Sequence, residues 1–123
     1  MAKGFKCGAG GSGMSMDLLW ENASPGSDFA EHSGTNKLKI DWSGYVKYAV
    51  EYRTEYTFYA TMEVSVGNNM AIFYYKTENN RAGCRSIVFE SDGLSIYGAF
   101  LNGSANDSYC VPWRIYGIKG VSA

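Results

Sequence analysis

From Tyr45 to Val66 the chain alternates between apolar and polar residues, and no other stretch restricts its fold so strongly. Even positions carry Val46, Tyr48, Val50, Tyr52, Tyr56, Phe58, Ala60, Met62, Val64 and Val66. Odd positions include Lys47, Glu51, Arg53, Glu55, Thr57, Thr61, Glu63 and Ser65. Only an extended backbone, whose side chains point alternately to two faces, separates these sets. The stretch is therefore strand with one buried face. At about 3.3 Å per residue it would reach about 70 Å unbroken, too long for a small domain, so it folds back or bends. The expected break is Arg53-Thr54-Glu55. A two-residue loop there pairs Arg53 with Tyr56 and throws the two sets out of phase. A three-residue loop pairs Tyr52 with Tyr56 and keeps them in phase, as does a bend between sheets.

The flanking segments repeat the theme. Leu38, Ile40 and Trp42 alternate with Lys37, Lys39 and Asp41, which predicts a half-buried strand over Lys37 to Trp42 that ends at the turn Asp41-Trp42-Ser43-Gly44. Met14 to Trp20 precedes a Pro-Gly loop at 21–28, and Phe29 to Thr35 fits either a short strand or a single turn. Gly67-Asn68-Asn69 leads into Met70 to Lys76, which is apolar on both faces and so suits burial between layers or a subunit contact. Strands are expected at Cys84 to Glu90, Leu94 to Leu101 and Val111 to Ile118, with a hairpin turn at Ser91-Asp92-Gly93 and a polar loop at Asn102 to Ser108. Pro112 donates no amide hydrogen, which places it at a strand start or an edge. Seven to nine short strands, with turns at the spacing of a sandwich, predict an all-β fold. The expected architecture is an antiparallel, jelly-roll-like β-sandwich over 14–123, preceded by a glycine-rich arm at 1–13. That arm holds five glycines, whose ordering costs entropy that small side chains do not repay, so it is flexible unless it packs on a partner.

Composition narrows the function classes. Ten Tyr, six Phe and three Trp among 123 residues favour strand, and the length is that of one domain. A net charge of −1 gives no basic excess for nucleic acid. There is no apolar run near 18 residues to insert in a membrane, and the opening Met1-Ala2-Lys3-Gly4-Phe5-Lys6 lacks the apolar core of a signal peptide, so cytoplasmic synthesis is expected. Cys7, Cys84 and Cys110 are odd in number and lack metal spacing; they suit free thiols, with a Cys84–Cys110 bridge left open.

No catalytic pattern emerges. The single histidine, His32, lies beside Asp28 and Glu31 without a nucleophile motif and is most simply a loop residue. Asn102, Asn106 and Asp107 offer oxygens suited to calcium, although loop polarity accounts for them equally. Glu51, Glu55, Glu63, Glu78 and Glu90 supply carboxylates but no dyad stands out, and no nucleotide-binding glycine motif is present, so neither catalytic residue, metal nor cofactor is assigned. Tyr45, Tyr59 and one of Tyr74 and Tyr75 fall on the phase opposite the core, where rings stack on sugars or meet another subunit. With the adjoining loop, the candidate ligand-binding residues are Tyr74, Tyr75, Asn79, Asn80 and Arg81.

Three local signatures carry a resemblance. Lys3-Gly4-Phe5-Lys6 with its glycine cluster is similar to the start of small tail-associated proteins of Firmicutes phages and prophages. Leu18-Leu19-Trp20-Glu21-Asn22 with Ser24-Pro25, Phe29-Ala30, Leu38, Ile40 and Ser43-Gly44-Tyr45 resembles the N-terminal half of a phage tail or fibre-tip domain. The closing Val111-Pro112-Trp113-Arg114-Ile115-Tyr116-Gly117-Ile118-Lys119 is similar to the ending of those proteins, whereas the middle, about 54–110, matches only in strand pattern. The resemblance implies a non-enzymatic virion protein of the tail tip or fibre, a homotrimer that displays a domain for host-surface glycan. It implies anchoring to other virion proteins through Phe5, Lys6, Gly8, Gly10, Gly11 and Gly13. A head fibre or capsid decoration protein is the rival within the binding class, and a small glycan hydrolase or deacetylase the rival among enzymes.

Overall fold

The computed structural model describes residues 15–55, 58–67, 70–76 and 81–120. Nine strands run through them: β1 (Ser15–Glu21), β2 (Leu38–Lys39), β3 (Lys47–Glu55), β4 (Phe58–Ser65), β5 (Met70–Lys76), β6 (Ala82–Glu90), β7 (Gly93–Leu101), β8 (Ser104–Ala105) and β9 (Val111–Lys119). The only helical turn among the described residues is the 3-10 segment Gly34–Asn36. One sheet has the order β1-β9-β3-β4, the other β2-β7-β6-β5 with β8 beside β7, and every strand pairing is antiparallel. The first strand pairs the last and the second reaches back to the seventh, which closes the chain into a sandwich of two antiparallel sheets. The middle of the chain is built of plain hairpins.

The alternation at 45–66 sorts side chains as expected. Tyr48, Val50, Tyr52 and Val64 are buried, and Ala60, Met62 and Val66 pack against the same core. Ile87, Leu94 and Ile96 meet them from the opposite sheet. Val46 departs from the pattern: it is 49 % exposed, because it lies in the bend before β3, where period-2 parity has not yet begun. The fold-back also differs. Glu55 pairs with Phe58, so the connection is two residues long and lies at 56–57, after the predicted break. Such a loop alone would put apolar opposite polar. A register shift between Arg53 and Glu55 restores parity, so that Tyr52 still faces Ala60 and Val50 faces Met62.

Lys37 to Trp42 forms a ladder over Leu38–Lys39 only, yet Leu38, Ile40 and Trp42 are all buried. The side chain replaces the ladder: the Trp42 indole N–H donates to the carbonyls of Glu90 (3.0 Å) and Gly93 (3.1 Å) at the β6–β7 turn. Its ring packs 5.0 Å from Tyr48 and 5.3 Å from Phe89, joining the two sheets. The Phe29 to Thr35 segment makes a single bridge, His32 to Ile96, before the helical turn. Leu101 and Ser104 are paired across Asn102 and Gly103, which have φ of 50° and 85°, the left-handed pair of a tight hairpin. The C-terminal strand is not an edge. β9 lies between β1 and β3, and Pro112 is tolerated near its start beside a bulge.

Arg53 is also not on a solvated face. Its exposure is 7 %, since the loop after β1 folds over it and Nε donates to the Pro25 carbonyl at 2.7 Å. Cys84 and Cys110 are free thiols. The amide oxygens of Asn102 and Asn106 and a carboxylate oxygen of Asp107 accept hydrogen bonds from Ala82, Ser108 and Ala99, which occupies them internally.

Candidate functional site

The bulge in β9 builds the most distinctive surface. Glu51 pairs with Arg114 and Tyr52 with Pro112, so Trp113 is the extra residue between two rungs. In an unbroken strand Trp113 and Arg114 would point to opposite faces. Here they meet, with the guanidinium carbon 3.7 Å from the centroid of the indole. Bulges re-aim side chains in this way and are frequent beside functional sites. From β4, the ring of Tyr59 lies 4.8 Å from that of Trp113 at an interplanar angle of 49°. Tyr59 is 43 % exposed, so an aromatic face is open to solvent beside a charged one.

The rungs flanking Arg114 carry carboxylates. Glu21 on β1 and Glu51 on β3 are its direct cross-strand partners. Arg114 Nε donates to Glu21 Oε2 at 3.3 Å, and Nη1 lies 3.7 Å from Glu51 Oε1. Nη1 also reaches the Tyr116 hydroxyl at 3.5 Å. These partners, Tyr116 foremost, hold the guanidinium above its ordinary pKa, so its charge is permanent. Two carboxylates around one cation leave one net negative charge. Glu51 Oε1 is buried and has no hydrogen-bond donor among the described residues, although a regular solvated strand face is expected for this residue. Lys47 and Glu63, 3.7 Å apart, form a further ion pair between β3 and β4.

Of the ligand-binding residues expected from sequence, Tyr74, Tyr75 and Arg81 lie within the described residues. Tyr74 and Tyr75 lie on the edge strand β5, opposite Cys84 and Gly83, while Asn79 and Asn80 lie outside the described residues. Arg81 donates to the Tyr109 hydroxyl, and its guanidinium carbon is 5.8 Å from that ring. Tyr109 lies two residues before Val111, which pairs with Arg53, itself paired with Tyr59, so Arg81 lies towards the same end as the Tyr59–Trp113 pair. Tyr45 does not join this surface. Its hydroxyl donates to Asp17 at 2.8 Å, and burial together with that carboxylate pushes its pKa up to about 12. The arm residues Phe5, Lys6, Gly8, Gly10, Gly11 and Gly13 lie outside the described residues.

Sequence reasoning did not assemble Trp113, Arg114, Glu51, Glu21 and Tyr116. Period-2 parity assigns Trp113 and Arg114 to opposite faces, and only the bulge, which has no mark in the sequence beyond the neighbouring Pro112, unites them. His32 sits elsewhere, its Nδ1 2.7 Å from the Ala30 carbonyl and its ring stacked 4.5 Å from Phe29. Among the described residues no three His, Cys, Asp or Glu side chains group to hold a metal ion, and no helix is long and apolar enough to cross a membrane. The fold and surface define an antiparallel β-sandwich with an aromatic and charged outer sheet face. No family model matches the chain, and neither a curated protein nor a solved structure matches it.

Proposed function

We propose that the chain is a non-enzymatic structural protein of a phage virion, located at the tail tip or on a fibre, which displays a glycan-binding sandwich to the host surface. The observation that supports glycan binding is the Tyr59–Trp113 pair set beside Arg114 and Glu51. The exposed ring of Tyr59 beside half-buried Trp113 would take the apolar face of a sugar while adjacent charged groups bond its hydroxyls. In this reading Tyr74, Tyr75, Asn79, Asn80 and Arg81 remain the candidate ligand residues proposed from sequence. Glu21 and Glu51 both turn to one arginine, an arrangement that favours binding over the separate acid and base of a hydrolase. In this reading the protein is made in the bacterial cytoplasm and assembles as a homotrimer, held to other virion proteins through residues 1–13. Three weak sites then act together through avidity.

The test is an array of bacterial cell-wall polysaccharides probed with the tagged full chain and with Trp113→Ala. The reading expects binding by the first and its loss in the second. Binding by neither, or equal binding by both, overturns it.

A further inference from the structure

We propose that the outer face around Trp113 selects uncharged pyranoses and rejects sugars bearing a carboxylate, with Glu51 and Arg114 as the residues that set this preference. The inference rests on the glycan-binding reading above and adds the chemical class of the ligand.

The hydrogen-bonding inventory points this way. Glu21 and Glu51 only accept, Arg114 only donates, and the Tyr116 hydroxyl does both. They follow one another across adjacent strands, Glu51 to Arg114 to Glu21. Vicinal hydroxyls of a pyranose each donate and accept, so a row of alternating acceptors and donors matches them. Glu51 Oε1 adds a specific vacancy for a hydrogen bond: it is buried, lacks a donor among the described residues, and its nearest described cation is Arg114 Nη1 at 3.7 Å, beyond hydrogen-bond reach. A buried acceptor without a donor is costly, and a ligand hydroxyl that reached it as Arg114 turned would remove that cost.

Charge then separates neutral from acidic sugars. The Glu21–Arg114–Glu51 row carries one net negative charge. Arg114 Nε and Nη1 already face Glu21, Glu51 and Tyr116, and its guanidinium carbon lies 3.7 Å from the Trp113 ring centroid, so an anion would have to share a fork that two carboxylates already face. A ligand carboxylate placed here meets the net negative charge of the row, which corresponds to binding weaker by roughly tenfold near a protein surface.

The test is titration calorimetry of the full chain with cellohexaose, maltohexaose and chitohexaose, and with each oxidised at C6 to the uronate. At least one neutral oligosaccharide should bind, with its uronate weaker by about tenfold or more, and the gap should shrink in high salt. Glu51→Gln should weaken the neutral ligand about tenfold and bring the two forms within about threefold of each other. Glu21→Gln removes the same charge from the other side and should narrow the gap likewise, so the result does not hang on one variant. Uronate binding as tight as neutral binding, when abolished by Trp113→Ala, overturns the selectivity and leaves glycan binding standing. No binding by any of the six at millimolar concentration overturns both.

Discussion

The Nε of Arg85 donates to the carbonyl oxygen of Cys110 at 3.0 Å, and neither residue is exposed to solvent. The other four N–H groups of the guanidinium are used as well, on the carbonyls of Phe29 (2.9 Å), Tyr97 (2.9 Å), Asp107 (3.2 Å) and Tyr109 (3.1 Å). All five donors of a buried cation thus end on backbone oxygens drawn from three separate segments. Burial lowers the Arg85 pKa, while Asp107 and Asp28 oppose that shift. This one side chain ties the 29 segment and the 107–110 loop to the core, and so fixes the chain just before it enters β9 and reaches Trp113.

Replacing Arg85 with Met should therefore strand five carbonyls at once. The expected loss is about 3–5 kcal/mol, a large share of the stability of a small domain. Arg85→Lys, with three donors in place of five, should recover only part of it. Urea denaturation of the three proteins measures this, and a Met variant within about 1 kcal/mol of the parent would contradict the clamp.

Alkaline stability follows from Cys110. Burial pushes its thiol up to about 12 from an ordinary 9.0. The unfolded chain then releases this proton near pH 9 while the folded chain keeps it, so the native state holds more protons and stability falls as pH rises from about 9 toward 12. The slope from this group approaches about 1.4 kcal/mol per pH unit. Tyr45, raised to about 12 from 10.0, adds to the decline only above about pH 10. Denaturation of the parent and of Cys110→Ala at pH 8, 9 and 10 should show the parent declining between 9 and 10 and the variant level there.

Gly93 is where β2 crosses closest to β7. A Cβ on it would lie 1.8 Å from the Leu38 carbonyl oxygen and 2.9 Å from its carbon, both backbone atoms. Gly93→Ala must push β2 away and disturb the Trp42 hydrogen bond to the Gly93 carbonyl, at a cost of about 3 kcal/mol. Gly26, with nothing within 4 Å of an added Cβ, is the control. Its Ala variant should stay within about 0.5 kcal/mol in thermal or urea unfolding.

How much of this was legible depends on how local each cause is. Strand alternation depends on neighbours two residues apart, so Tyr48, Val50, Tyr52, Leu38, Ile40 and Trp42 were placed in the core from sequence. Turn positions have no local cause where no glycine marks them, as between Glu55 and Phe58. Arg85 shares the phase of Ile87 and Phe89 within β6, but its five acceptors come from segments distant in sequence. Trp113 and Arg114 were hidden for a related reason: a bulge is an agreement between two strands, written in neither alone.

The proposed trimer has a direct check. Light scattering on the full chain and on a form lacking residues 1–13 should give a trimer for the first and a loss of trimer for the second, which would assign assembly to the arm. Monomers from both at high concentration would contradict self-assembly.

The claim that the Tyr59–Trp113 surface binds glycan is tested most directly by the three indole N–H resonances of the protein. Trp42 is locked onto the Glu90 and Gly93 carbonyls and serves as an internal reference. During a nuclear magnetic resonance titration with polysaccharide extracted from Firmicutes cell walls, the Trp113 signal and the Arg114 Nε signal should shift together and saturate, while the Trp42 signal stays in place. A Trp113 signal that does not move while the polysaccharide binds would contradict the account.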